Sequence, residues 1–350
     1  MKGMKGVESM ESVESMKQVK RIGIAGFGVV GRGLARTLVT KKDVLEKRAG
    51  GYRIVAIIDS RGGIYSDDGV DVFEAIRIKE RDGKLPEGLR VEDILDRIDV
   101  LFECTPTNVD TGEPGFSHIK LALENGVDVI TSNKGPLVVG FRELMKVAEK
   151  SGARLMYEAT VGGAMPIIKL VKNELAGNEV LSIKGILNGT CNYILSRMEQ
   201  EKMPYSQILS EAQELGIAEA DPTYDVEGID AAAKLVILAN SLLGSDATFS
   251  DVERTGISSI TPEAFEIAAM KGYTIRLIAE ATRDVLRVSP RLVPFHSPLC
   301  IYGTLNAALI QTDLAGEVVV MGRGAGSSET ASAMLSDFVE LSRCGSYPLK

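Results

Sequence analysis

"RIGIAGFGVVGRGLARTLV", residues 21–39, passes from an apolar run through a glycine-rich turn into helical spacing. Ile22 to Ala25 read as a short strand, and the glycines that follow fall as Gly26-x-Gly28-x-x-Gly31. In a strand, turn, helix unit one such glycine allows the tight turn, one lets backbone approach a pyrophosphate, and one lets the helix pack on the strand. The helix N-terminus then faces the phosphates. Gly26, Phe27, Gly28, Val29, Val30 and Gly31 are therefore the expected phosphate-side contacts of a dinucleotide. Glycines also punctuate ordinary turns, so the flanking sequence has to decide.

A second apolar run, "YRIVAIIDS" at 52–60, ends in Asp59, where dinucleotide folds place the carboxylate that meets the adenosine ribose. The interval from the glycine turn exceeds the usual ~20 residues, so an extended helix or a loop must intervene. Arg61 stands just beyond and can hold a 2'-phosphate while screening that carboxylate. The expected cofactor is NADP, with NAD also usable. Two further apolar runs, "IDVLFECTP" (98–106) and "GVDVITSNKGP" (126–136), flank the helical pattern "FSHIKLALENG" (116–126). This alternation predicts an α/β fold with a Rossmann-type doubly wound parallel sheet. Ligands bind beyond the carboxyl ends of such strands, which places Thr105, Pro106, Thr107, Ser132, Asn133 and Lys134 beside the cofactor.

Composition agrees with a globular, small-molecule-binding protein. The chain has 350 residues, 45% hydrophobic and 25% charged, enough for two domains with real cores. With 40 basic against 48 acidic residues and no basic run, a nucleic-acid surface has no electrostatic footing. Cys104, Cys191, Cys300 and Cys344 lie far apart without a CxxC pair, against a zinc cage or disulfide framework and in keeping with a reducing cytosol. No apolar run reaches the roughly 18 residues of a membrane helix. The polar, Met-punctuated opening, residues 1–19, does not read as a signal peptide and is expected to be an arm.

After about residue 150 the texture changes to an α+β region with long helical periodicity through residue 245. The stretch "GEVVVMGRGAGSSETASAMLSDFVEL", 316–341, gives a strand, a turn with Gly322, Gly324 and Gly326, and a closing helix expected to return to the nucleotide domain. Within "EGIDAAAKLVILAN", 227–240, Asp230 and Lys234 stand four apart and share one helix face. On a wet helix such a pair is worth only ~0.3 to 0.5 kcal/mol. The uniformly apolar residues that follow point instead to a buried helix, where a lysine needs a partner and a reason.

"GFGVVGRGLA", "SNKGPL", "YEATVGGAMPII", "ILNGTCNYIL", "EAQELGIAEADPTYDVEGIDAAAKLVILA" and "GRGAGSSETASAMLSD" together make the chain resemble the homoserine dehydrogenases from about residue 20 onward. The resemblance implies reversible, nicotinamide-dependent interconversion of L-homoserine and L-aspartate 4-semialdehyde, on the route to threonine and methionine. It implies a minimal monofunctional enzyme without the family's C-terminal regulatory extension or fused aspartate kinase, which leaves feedback control by threonine open. It further implies a homodimer built on segments 146–168 and 302–324. Residues 20–145, completed by 325–350, would bind NAD(P), and 169–301 would form the substrate domain.

Reducing an aldehyde needs a hydride donor and an acid to protonate the developing alkoxide. Only His118 and His296 exist, and His118 sits inside a helix pattern, so lysine is the best available acid. The resemblance assigns that role to Lys234, with Asp230 orienting it and Lys134 assisting. Backbone donors at Asn188, Gly189 and Thr190 would meet the substrate's anionic group, and Glu219 and Asp225 its ammonium. Gly189 and Gly326 join the cofactor contacts. "YEATVGGAM" resembles the family's sodium-binding hinge, with Glu158 and the backbone carbonyls of Val161, Gly163 and Met165 as ligands; oxygen-only ligation suits a hard cation. Two alternatives stay open: a semialdehyde dehydrogenase working through a thiohemiacetal on Cys191, and a nucleotide-binding regulator without turnover.

Overall fold

Two six-stranded sheets carry the chain, which a computed structural model describes over residues 19–344. All of the expected N-terminal arm except Val19 lies outside the described residues, as do 345–350 of the expected closing segment. The first sheet is built from β1 (Lys20–Ala25), β2 (Tyr52–Asp59), β3 (Gly62–Tyr65), β4 (Val100–Glu103), β5 (Asp128–Thr131) and β6 (Leu155–Met156), in the order β3-β2-β1-β4-β5-β6. All neighbours are parallel except β3, which runs antiparallel on β2. This is the doubly wound sheet expected from the alternation, with its strands returned by α1 (Val29–Thr40), α2 (Lys42–Ala49), α3 (Val72–Asp82), α4 (Gly115–Glu124) and α5 (Lys134–Ser151). The added helix α2 accounts for the long interval between the glycine turn and Asp59.

A short edge strand joins the sheet just past Asp59, where Gly62 and Gly63 fold back along β2 opposite Asp59 and Ile58. Residue 145 falls inside α5, and β6 pairs with β5 as a sixth strand beyond it.

The second sheet contains β7 (Val180–Ile186), β8 (Glu253–Arg254), β9 (Tyr273–Ala281), β10 (Leu286–Pro294), β11 (Leu305–Thr312) and β12 (Glu317–Arg323), in the order β12-β11-β7-β9-β10-β8. It is antiparallel apart from the β8–β10 pair. Its helices are α6 (Ile167–Lys169), α7 (Gly189–Glu201), α8 (Tyr205–Glu214), α9 (Thr223–Val226), α10 (Ile229–Leu242) and α11 (Pro262–Ala269). In α10 every residue from Asp230 to Asn240 is buried, as expected of a helix apolar on nearly all sides. The closing helix, α12 (Ser327–Cys344), crosses back to the first sheet. There the Phe338 ring lies 5.4 Å from Tyr52 and 5.8 Å from Phe102, centroid to centroid.

The glycine turn shows why its residues must be small. Gly26 adopts φ +91°, and a Cβ on it would fall 2.4 Å from the Cys104 carbonyl carbon. A Cβ on Gly31 would fall 1.9 Å from Gly26 O, driving α1 off β1. Gly31→Ala is therefore expected to cost about 1–3 kcal/mol as overpacking does, read as a lower midpoint in urea denaturation, and to weaken dinucleotide binding in a fluorescence titration.

Candidate active site

The carboxyl edge of the first sheet faces the N-terminal ends of α7 and α10 across a cleft of about 1440 Å³. At the junction sits a four-residue polar cluster. Lys234 and Asp230, one turn apart on α10, are only 5% and 7% exposed. Lys234 Nζ lies 2.7 Å from Asp230 Oδ2 and donates to Leu187 O at 2.6 Å. Lys134, the first residue of α5, reaches across from the other sheet and brings its Nζ to 3.4 Å from Asp230 Oδ1. Asn188 Nδ2 donates to Asp230 Oδ2 at 3.0 Å and to Asp225 Oδ1 at 2.7 Å.

Burial alone would keep Asp230 neutral. The two lysines and the hydrogen bonds from Lys234 and Asn188 outweigh it and hold the carboxyl well below the usual carboxylate range. The cluster therefore carries charge at neutral pH. An ammonium has three donors; Asp230 and Leu187 O take two of Lys234's, which leaves one for a group in the cleft that Lys234 lines.

The glycine loop forms one wall of the cleft. Gly26 to Val30 line it, and a Cβ on Gly28 would meet no protein atom, so the backbone there is open to a ligand. Gly31 sits behind this wall rather than in it. Thr105, Pro106, Thr107, Ser132, Lys134, Gly189 and Gly326 all line the cleft. These features fit a dinucleotide. Asp59 and Arg61 line the far end, but Asp59 is held in an ion pair with Lys79 of α3. Arg90 lines the same end. Neither Lys79 nor Arg90 announces itself in sequence, since each reaches the site only through the fold.

At the substrate end, the α7 N-terminus opens toward the cleft. No helical carbonyl can reach the N–H groups of Gly189 and Thr190. The Asn188 side chain has work of its own: its Oδ1 caps the helix by accepting Cys191 N–H at 2.8 Å, and its nitrogen bridges two carboxylates. It thus organises the acids. The Thr190 hydroxyl is similarly committed, donating to Ile217 O at 3.2 Å. Glu219 is exposed at the rim and Asp225 half-buried below it, both lining the cleft. Tyr224, next to Asp225 in the chain, also lines the cleft and offers a buried hydroxyl without a partner among the described residues. Sequence reasoning passed over this tyrosine, for a single Tyr in an acidic loop carries no signal.

In the hinge at 158–165, Val161 lines the cleft, whereas Glu158, Gly163 and Met165 lie behind it. Both carboxylate oxygens of Glu158 accept backbone N–H groups, from Ile168 at 3.0 Å and Lys169 at 2.7 Å. Its side chain thus holds the start of α6, while its main-chain oxygen accepts the Val161 N–H at 3.4 Å. Among the described residues no cluster of His, Cys, Asp and Glu is arranged to hold a metal.

Cys191 has no exposed surface, and its Sγ donates to Asp225 O at 3.1 Å. Burial first, and then Asp225 and Asp230, push its thiol well up. A thiolate nucleophile is the last thing this environment favours.

A doubly wound sheet with an open phosphate loop, facing a buried lysine and carboxylate cluster, defines a nicotinamide-dependent oxidoreductase. Known proteins narrow the class. Residues 26–158 match the family model for the homoserine dehydrogenase NAD-binding domain, and 166–339 match that for homoserine dehydrogenase. The homoserine dehydrogenase of Methanocaldococcus jannaschii is 52% identical over 326 residues, covering 91% of this chain and 97% of its own. A crystal structure from Archaeoglobus fulgidus assigned to the same activity is 55% identical, with a TM-score of 0.87 over 92% of this chain and 99% of that one. A hyperthermophilic archaeal homoserine dehydrogenase in complex with NADPH is 30% identical, with a TM-score of 0.79 over 95% and 99%. The chain belongs to the homoserine dehydrogenase family.

The charge cluster sets a stability test. Asp230→Asn leaves Lys234 buried without its counter-charge, a loss of about 3–5 kcal/mol in urea unfolding at neutral pH. Because the folded Asp230 carboxyl is depressed, its contribution is present above the unfolded carboxylate range and lost as pH falls through the folded value. The gap between wild type and variant must accordingly narrow on acidification.

Proposed function

We propose that the protein catalyses the reversible interconversion of L-homoserine and L-aspartate 4-semialdehyde, in threonine and methionine biosynthesis in the cytoplasm, with Lys234 as general acid and base. The observation that carries this is the buried Lys234 ammonium, oriented by Asp230 and Leu187 O with one donor turned to the cleft. The nicotinamide cofactor supplies or takes the hydride. Lys234 gives the proton to the nascent alkoxide in reduction and removes it from the alcohol in oxidation. Asp230 keeps the ammonium in place, and Lys134 stands beside the same carboxylate to stabilise charge on the oxygen. The substrate carboxylate sits at the Gly189 and Thr190 N–H groups. Its ammonium meets Asp225 and Glu219, with Asn188 holding Asp225 in line.

The cofactor is NADP, with NAD usable as well. Lys79 neutralises Asp59, which removes the carboxylate's repulsion of a 2'-phosphate, while Arg61 and Arg90 supply guanidinium groups at that end of the cleft. Glu158 and the main-chain oxygens of Val161, Gly163 and Met165 would hold a sodium ion or another monovalent cation. The hinge is anchored for this role: Ala164 N–H donates to Arg323 O at 3.0 Å, and Gly163 packs directly on Gly324. Two copies associate through segments 146–168 and 302–324. Support comes from β12, an edge strand of the second sheet whose Val319 and Met321 are exposed, a surface that natural edges normally keep charged or covered.

Following cofactor absorbance with homoserine tests the reaction directly, and three substitutions divide its parts. Lys234→Met keeps the side-chain stem and deletes the acid, so kcat is expected to fall about 10²- to 10⁴-fold with NADP still bound. Turnover near the parent level in that variant moves the acid to Lys134. Cys191→Ser retains activity, whereas a thiohemiacetal enzyme would lose it. Arg61→Ala lowers efficiency with NADP more than with NAD; an unchanged ratio of the two overturns the assignment of Arg61 to the 2'-phosphate.

A further inference from the structure

Glu103 ends β4 with no exposed surface, one layer behind the cleft wall, and touches none of the groups that would meet substrate. In the strand register it stands between Ala25 of β1 and Thr131 of β5. Its two oxygens gather donors from two separate strand ends. Oε1 accepts the Thr105 N–H at 3.0 Å and the Thr105 hydroxyl, and Oε2 accepts the Thr131 hydroxyl at 3.1 Å. Asn133 closes the ring. Its Nδ2 donates to Thr105 Oγ1 at 3.1 Å and to Pro106 O at 3.3 Å, and its backbone N–H donates to Thr131 Oγ1 at 3.0 Å. Asn133 Oδ1 meanwhile caps α5 by accepting Gly135 N–H at 3.0 Å. The next residue is Lys134, whose ammonium faces Asp230.

We propose that Glu103 is a positioning residue for the reaction: its carboxylate ties the Thr105 wall of the cofactor cleft to the start of α5, and so fixes Lys134 against Asp230. The proposal rests on reading the cleft as a homoserine dehydrogenase site. A carboxylate suits the place because the Thr105 N–H and the Thr105 and Thr131 hydroxyls all donate to it. Gln would turn an NH₂ group toward one of those donors. The clamp has no slack, since a Cβ on Gly115 of α4 would fall 2.5 Å from Asn133 Nδ2 and 3.2 Å from Glu103 Oε2.

The clamp can also take up a proton. Burial pushes the Glu103 carboxyl up to about 7, against the pull of the Thr105, Thr131 and Asn133 donors. Among titratable groups around it, His118 of α4 brings Nδ1 to 4.0 Å. Burial keeps that imidazole low against Glu92 and Glu113, so it faces Glu103 uncharged near neutrality. Cys104, the next residue, has a thiol raised by burial and by Glu103 itself. When Glu103 takes a proton, Oε2–H can donate to Thr131 Oγ1, whose own hydrogen then turns to Glu103 O, 3.3 Å away. The shape survives, but charge-assisted bonds become neutral ones of roughly half the strength. The grip on β5 thus loosens as pH falls through neutrality.

Steady-state homoserine oxidation on both sides of neutrality, with melting curves of the cofactor-free protein, tests this in wild type and Glu103→Gln. The variant should lose kcat ~10²-fold above neutral pH, the effect of displacing a catalytic group by about 1 Å, with KM for homoserine near wild type. The neutral inflection in the wild-type kcat profile should be absent from it. A raised folded pKa means that wild type loses stability as pH climbs from the unfolded carboxylate range to about 7. The melting temperature of the variant relative to wild type should therefore rise with pH. Retention of wild-type kcat with an unchanged pH profile overturns the proposal. Should Glu103→Gln not fold, Thr131→Val removes only the donor to Oε2; lowered kcat at unchanged KM supports the clamp, and full kcat overturns it. No turnover by wild type overturns the proposed reaction instead, and the melting comparison still reports on Glu103.

Discussion

The Asp230 carboxylate is where the two halves of the molecule meet. It sits on α10, is approached from its own helix by Lys234, from the second sheet's β7–α7 turn by Asn188, and from the first sheet by Lys134. Taking an ammonium and a carboxylate out of water costs several kcal/mol per ion, recovered only when geometry is good and the remaining donors and acceptors are filled. Here they are filled by Leu187 O and Asn188. Each of those contacts fixes a backbone segment: the end of β7, the start of α7 and the first turn of α5. The polar cluster thus dictates the width of the cleft, and the apolar remainder of α10 keeps water from relaxing it.

Buried acids recur where segments must be joined, and their surroundings decide their charge. Asp230, with two lysines, is pulled down. Glu103, with hydroxyl and amide donors but no cation in contact, is pushed up to about 7. Asp337 on α12 is raised to about 7 by burial, although Lys169 stands 2.8 Å away and opposes the shift. It accepts the Glu158 N–H at 3.1 Å, so the closing helix holds the hinge that precedes the second sheet. In each case the charge comes after the joint: the carboxylate is placed by the donors it must gather.

Much of this was legible in the chain because local patterns carried it. The glycine spacing, the strand ends at Asp59, Thr105 and Lys134, and the Asp230–Lys234 interval are short-range features with periods of their own. The apolar run after Lys234 correctly signalled a buried helix. Contacts made only through the fold were not legible. Lys79 is twenty positions from Asp59 along the chain and meets it because α3 packs beside β2. The Glu158 carboxylate accepts two N–H groups at the start of α6, a role that no spacing reveals. Asn188 stood in a recognisable motif but acts through its side chain rather than its backbone alone. The short strand β3 was hidden because Gly62 and Gly63 look like a turn until a neighbouring strand pairs with them.

The return of α12 to the first sheet gives the chain an order of assembly. The first core is not sealed by residues 20–156: Phe338 covers Phe102 and Tyr52, and Met334 touches Cys104. During synthesis the ribosome delivers the whole second sheet before that cover emerges. The dinucleotide-binding unit must wait, with one flank of its core open to water, until α12 has followed the second sheet off the ribosome. Domains that are contiguous in sequence can fold as they leave the ribosome; this one is closed by a segment made after another sheet. A nascent chain stalled anywhere before residue 327 would expose the apolar seat of α12, a surface that chaperones recognise, while already containing every residue of the charge cluster.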